Sequence, residues 1–186
     1  MRLEPTPIEG VLVVRAEPVV DERGHFVRVA CRETFEGHGL PGVFDLTALS
    51  WNRRRGTLRG MHWQRPPHAE HKLVRATRGA IFDVALDMRP QSPTLGRWYG
   101  VRLDATASAP VALFIGPGVA HGFQTLEDDS EVEYQIAGRT VPEAACGARW
   151  DDPAFGIRWP LPVTVMSARD VAWPLTSAKS DHDRRA

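Results

Sequence analysis

Short apolar runs recur along the chain, most of them bounded by Gly, Pro or Asp: VLVVR (11–15), VFDLTALS (43–50), TLRGMHW (57–63), KLVRAT (72–77), AIFDVALDM (80–88), RWYGVRL (97–103), VALFI (111–115), GFQTL (122–126) and EVEYQI (131–136). Runs of this length at this spacing predict an all-β fold, an antiparallel sandwich or barrel. In AIFDVALDM the apolar Ile81, Val84, Leu86 and Met88 are interrupted by Asp83 and Asp87, the pattern of a strand with one face in a core. Two helical stretches are expected, CRETFEGHG (31–39) and a short turn from Ser167, where Asp170 follows at the spacing of an N-cap pair. One domain is expected over 1–174, followed by a polar, frayed tail at 175–186.

The 186 residues suffice for one domain with a sizeable core, and 42% hydrophobic with 25% charged residues is globular composition. Lys plus Arg and Asp plus Glu are each 23, so no global field holds the chain to nucleic acid or to anionic lipid, and neither is expected as a partner. An anionic ligand has to be met locally. The opening MRLEPTPIEG lacks the apolar centre of a signal peptide, and runs such as VALFIG (111–116) are too short to span a bilayer. A soluble, cytoplasmic protein is the expectation. Cys31 and Cys146 have neither CxxC spacing nor clustered partners, which points to free, buried thiols.

Candidate chemistry concentrates in RRRGTLRGMHWQRPPHAEHKLVRATRGAIFDV (53–84). His62 lies on a strand whose neighbours Met61 and Trp63 face the other way, and it shares its face with Gly60 and Gln64. A hydrogen-bonded structural histidine is the plain reading of such a residue. Arg59 and Lys72 nearby weigh against it, because long cations aimed into a barrel mouth are costly unless an anion or polar substrate meets them. In GPGVAHGFQTLEDDSEVEYQ (116–135) a Gly-Pro-Gly turn delivers His121 to the start of a strand, and the two stretches together look like the two-motif layout of a cupin barrel. A metal cupin needs a His-x-His pair and a Glu in the first motif, whereas this chain has His62-Trp63-Gln64, with His68, Glu70 and His71 in a proline-containing loop. No metal and no other cofactor is expected.

LRGMHWQ (58–64), KLVRATRGAIFDVALDMRPQSPTLGRWYGV (72–101), AHGFQTLEDDSEVEYQ (120–135) and WDDPAFGIRWP (150–160), extended by DERGHF (21–26) and SARD (167–170), resemble the dTDP-4-dehydrorhamnose 3,5-epimerase family over nearly the whole chain. The resemblance implies a double-stranded β-helix, the cupin jelly roll, with few short helices. It also implies a homodimer and metal-free epimerisation of a 4-keto-6-deoxy nucleotide-diphospho-sugar at C3, C5 or both, in deoxysugar biosynthesis. By position His62 is the base, Asp170 the carboxylate that orients it, and Lys72 the cation beside the sugar C4 oxygen. Arg59 matches the diphosphate contact, Arg23 and Phe26 a segment that reaches the nucleotide across the dimer interface, and His121 and Tyr134 residues that line the sugar pocket. Gln64, on the face of His62, is a further candidate substrate contact.

Two departures stand out. The family's second tyrosine, six residues after the position of Tyr134 and expected to return the proton, corresponds to Thr140, an aliphatic hydroxyl and a far weaker acid that could at most position a water. Either another group such as Tyr134 or water reprotonates the enolate, or only part of the reaction is done. Family Gln and Asn contacts to the nucleotide correspond to Thr47 and Leu49, so a CDP-linked sugar or another base is credible beside dTDP. A non-catalytic nucleotide-sugar-binding protein and a metal-dependent cupin enzyme are the alternatives.

Overall fold

The computed structural model describes residues 1–176, so from residue 177 on the expected tail lies outside the described residues. Thirteen strands run in the order β1 (Arg2–Pro5), β2 (Val11–Arg15), β3 (Val19–Asp21), β4 (Gly24–Phe26), β5 (Leu46–Asn52), β6 (Leu58–Gln64), β7 (His71–Arg78), β8 (Ala80–Asp87), β9 (Trp98–Asp104), β10 (Val111–Ile115), β11 (Val119–Thr125), β12 (Ser130–Ala137) and β13 (Ala145–Gly147). Two sheets face each other, ordered β1-β2-β10-β7-β12-β5 and β13-β6-β11-β8-β9, with β3 and β4 forming a separate hairpin. All of these named pairings are antiparallel. Two facing antiparallel sheets are the sandwich that the short, turn-bounded runs predict, in the cupin-roll form that the resemblance implies.

Alternation along the strands sends one set of side chains between the sheets, where Val13, Val74, Ile81, Ala85, Leu113 and Phe123 form the main core. The outward face of the second sheet is also covered. Met61, Val84 and Leu86 pack there against Trp98, Phe155 and Trp159. β8 is therefore buried on both faces, and Asp83 and Asp87 are fully buried instead of solvated. Asp87 survives burial by accepting from Arg89, Ser92 and Thr94; burial pushes its carboxyl up, but these donors hold it below the usual range.

Helix α1 (Arg32–Gly37) is shorter than expected, because the chain turns back at Gly39 with φ +71° and the amides of His38 and Gly39 close on Phe35 and Glu36. Its buried Phe35 stacks on Phe114, pinning the segment that feeds β5. Helix α2 (Ala168–Val171) begins as the sequence predicts: the Ser167 hydroxyl accepts from the Asp170 amide at 3.1 Å. Both cysteines are free and half-buried, not fully buried. Among the described residues no helix is long and apolar enough to cross a membrane.

Candidate active site

A cavity of about 650 Å³ opens between the sheets, and its wall includes Arg59, His62, Lys72, His121, Tyr134 and Asp170. Register explains the convergence. His62 on β6 lies directly opposite His121 on β11, and Tyr134 and Ile136 on β12 lie opposite Val74 and Lys72 on β7. The first pair comes from one sheet and the second from the other. Close approach of β6 and β11 depends on glycine: Gly60 has φ +134°, and a Cβ there would meet the Gly122 Cα at 2.5 Å.

One nitrogen of His62, Nε2, is 2.6 Å from Asp170 Oδ1, while its side chain remains 42% exposed at the cavity wall. The other ring nitrogen is thereby left for a substrate proton. Burial pushes the Asp170 carboxyl up, but its bond and charge interaction with His62, the Gly60 amide and Ser167 outweigh this and hold it below the usual range. The dyad joins residues 108 apart in sequence, and local contacts hold the two segments side by side. Leu58 donates to the Val165 carbonyl at 2.9 Å, laying the segment before α2 along β6. After α2, Trp173 packs on the bare face of Gly147, whose strand is paired with β6 at His62.

A second carboxylate–imidazole pair stands beside the first. His121 Nε2 is 2.7 Å from Asp83 Oδ1, both residues are buried, and among the described residues Asp83 Oδ2 has no hydrogen-bond partner. The His121 ring meets Tyr134 edge-on at 5.8 Å. Burial, reinforced by the negative charge of Asp83 and only partly opposed by Arg59, raises the Tyr134 phenol well above its ordinary value. Tyr134 thus stays protonated at neutral pH.

Lys72 is buried and paired with Glu70. Gln64 secures that pair: its amide donates to Glu70 Oε2 and to the carbonyls of His68 and Arg139, and its oxygen accepts from the Val141 amide at 2.6 Å. Gln64 therefore points into the loop and does not line the cavity. Thr140 is exposed, beyond the end of β12, and is likewise outside the lining. Arg23 and Phe26 are exposed on the β3–β4 hairpin, with Arg23 bonded to Asp21, and neither reaches this chain's cavity. Arg59 does line it, held by Asn52 at 2.7 Å, with Arg169 also on the wall.

Among the described residues no group of three or more His, Cys, Asp and Glu side chains converges as metal ligands. His71 packs on Phe114 and its pKa is lowered by burial, while His68 is exposed. Sequence reasoning missed the roles of Glu70, Asp83, Asn52 and Arg169. A lone Asp inside an otherwise apolar strand was the available signal for Asp83.

A sequence profile described as dTDP-4-dehydrorhamnose 3,5-epimerase matches residues 5–178. The dTDP-4-dehydrorhamnose 3,5-epimerase of Methanothermobacter thermautotrophicus is 40% identical over 173 residues, covering 90% of each chain. The crystal structure of NovW, a 4-keto-6-deoxy sugar epimerase from the novobiocin cluster of Streptomyces spheroides, superposes with a TM-score of 0.90 at 34% identity, covering 98% of this chain and 91% of that one. ChmJ, a 3'-monoepimerase from Streptomyces bikiniensis solved with dTDP-quinovose, gives a TM-score of 0.87 at 29% identity, covering 96% and 90%.

Proposed function

The chain belongs to the dTDP-4-dehydrorhamnose 3,5-epimerase family, and from that premise we propose that it is an isomerase that inverts C3, C5 or both in a 4-keto-6-deoxy nucleotide-diphospho-sugar. The single observation that carries this reading is the His62–Asp170 dyad at 2.6 Å in a cavity that also holds Lys72, His121 and Tyr134. A ketone acidifies the C–H bonds beside it, and a positioned imidazole removes such a proton. The C–H electron pair moves into a C=C bond as the C4 carbonyl becomes an enolate oxygen, and the proton rests on His62. Asp170 stabilises the imidazolium, and the Lys72 ammonium, with His121 beside it, stabilises the enolate.

Reprotonation from the opposite face completes the inversion. Tyr134 is the donor: it is the cavity's phenol, its O–H is retained at neutral pH, and it comes from the sheet facing that of His62. The resulting phenolate is short-lived in so buried a setting, and solvent protons restore it while His62 releases its own. Thr140 has no part in the step. No metal or organic cofactor is required by this sequence of transfers.

Arg59 grips the diphosphate, and the exposed Arg23 and Phe26 serve the cavity of a second copy in a homodimer. The catalytic unit is one cupin domain over 1–174, acting in the cytoplasm in deoxysugar biosynthesis. Incubation with dTDP- and CDP-4-keto-6-deoxyglucose in heavy water tests the reading. Deuterium enters at C3 or C5, and His62→Ala removes the exchange; absence of wash-in from both substrates sinks it.

A further inference from the structure

Lysine is rare in this chain. Of its 23 basic residues only Lys72 and Lys179 are lysines, and the rest are arginines. Lys72 stands on the wall of the reaction cavity. The residue type matters there. A guanidinium keeps its charge in any protein setting, whereas a lysine taken out of water tends to shed its proton. The neutral amine that results is a nucleophile toward carbonyl carbon. Beside a 4-ketone it would attack C4: a C–N bond forms, the ketone oxygen leaves as water, and an imine replaces the carbonyl from which the enolate is to be made.

Glu70 is placed to prevent this. It precedes Lys72 by two residues at the start of β7, so the two side chains leave the strand on the same side. Their side chains are only 10% and 8% exposed, unlike the surface pair of Arg23 and Asp21. One oxygen of the carboxylate takes the Lys72 ammonium, and the other accepts from the Gln64 amide at 2.8 Å. Gln64 is itself buried and tied to the 139–141 segment, which fixes the carboxylate in place. Gly138 brings that segment close: its φ is +114°, and a Cβ there would lie 3.4 Å from the Glu70 Cα and Cβ. Glu70 is not on the cavity wall, so it stands behind the ammonium and leaves the front free.

No other group supplies the counter-charge. The charged and titratable side chains facing the cavity are Arg59 and His62 from β6, His121 from β11, Tyr134 from β12, and Arg169 and Asp170 from α2. Arg59 and Arg169 are cations, which disfavour a third positive charge nearby. The carboxylates are committed elsewhere, Asp170 to His62 and, behind the wall, Asp83 to His121. Among the described residues Glu70 is the ion-pair partner of Lys72.

We propose that Glu70 is a positioning residue that holds Lys72 as an ammonium, so that it stabilises the enolate and does not condense with the 4-ketone. This rests on the epimerase reading above and adds the residue that decides between electrostatic and covalent use of the lysine.

The test compares the parent with Glu70→Gln and Glu70→Asp on dTDP-4-keto-6-deoxyglucose and its CDP counterpart. Each is incubated with cyanoborohydride, which delivers hydride to an imine carbon and leaves a secondary amine readable by peptide mass spectrometry. Glu70→Gln should carry the sugar on Lys72, with the parent and Glu70→Asp carrying little. In heavy water the exchange rate of Glu70→Gln should be about tenfold or more below the parent at pH 8. That deficit should shrink as the pH falls to 6, because acid restores the ammonium; a merely structural defect gives a deficit independent of pH. Equal adduct in parent and Glu70→Gln, no adduct in either, or a constant deficit overturns the proposal. Should Glu70→Gln not fold by circular dichroism, ¹⁵N NMR of the lysine ζ-nitrogens in the parent decides, since the chain has only two: an ammonium for Lys72 at pH 8 is expected, and an amine overturns the proposal. Wash-in by the parent with neither adduct nor pH-dependent deficit in Glu70→Gln removes the role of Glu70 alone. Absence of parent wash-in removes the epimerase reading, whatever the adduct shows.

Discussion

The two ends of the cavity are built on opposite electrostatic plans. At the sugar end both imidazoles and the ammonium have an internal counterpart: His62 has Asp170, His121 has Asp83, and Lys72 has Glu70. At the mouth the arginines lack such partners among the described residues, and Arg59 is held only by an amide. Paired, buried groups are preorganised and present the same field whether or not a substrate is bound, which suits proton transfer. Unpaired cations at an open rim are incomplete until an anion arrives, which suits recognition and steering. Chemistry and affinity are thus carried by different residues, and perturbing each end should move different observables.

The largest effect is expected from Asp170→Asn, which keeps the shape of the dyad and removes its charge. Deuterium exchange at saturating substrate should fall by about a hundredfold or more, with nucleotide affinity within about twofold, since positioned acid–base groups contribute roughly 10²–10⁴ in rate. Exchange at the parent rate would make the dyad structural. Arg59→Ala should do the reverse, raising KM by about tenfold, as expected for loss of a charge-assisted hydrogen bond, with a far smaller change in kcat. Salt provides the same contrast without mutation: KM should climb between 50 mM and 500 mM NaCl as the exposed rim is screened, while kcat holds because the carboxylates of the inner pairs, Asp170, Asp83 and Glu70, are buried and bonded directly to their partners.

The phenol predicts the shape of the alkaline limb. Burial and the charge of Asp83 raise the Tyr134 pKa, so the donor keeps its proton through the range where a free tyrosine, with pKa about 10, begins to lose it. Turnover should therefore not fall between pH 9 and 10, provided the fold persists by circular dichroism; a loss with midpoint in that window would point to a different acid. The smallest effect belongs to Thr140→Ala. That side chain is exposed and off the cavity wall, so activity and stability should change less than about twofold, as for ordinary surface substitutions.

Legibility in the sequence followed burial and spacing. The strands with apolar runs, from VLVVR to EVEYQI, correspond to β2 and to β5 through β12, and the Ser167–Asp170 spacing marked α2 correctly. β1, β3, β4 and β13 were not legible, because three- or four-residue strands with few buried positions carry no alternation to read. Asp83 and Asp87 were read as the wet side of a half-buried strand, but they share the face of Ile81 and Ala85 in the core between the sheets; periodicity cannot reveal that Phe155 and Trp159 cover the opposite Val84–Leu86 face, so that both faces are buried. Within the site, His62, Lys72, His121, Tyr134 and Asp170 were singled out by motif position, and all five line one cavity. Their partners were not: the Glu70–Lys72 pair and Gln64's grip on the loop depend on where a proline-containing segment folds back, which no pattern of residue types specifies. In sequence alone Thr140 left open whether another group reprotonates the enolate, only part of the reaction is done, or the sugar is bound without turnover. Its position outside the cavity makes Tyr134 the acid to test.

Tyr134→Phe, followed by NMR in heavy water for both label and configuration of the 4-keto sugar, separates the two halves of the reaction most directly. Removal of the phenol should leave His62 able to exchange the proton on its own face, so deuterium still enters while inverted product forms about a hundredfold more slowly. Inverted product at the parent rate would contradict the assignment of Tyr134 as the proton donor.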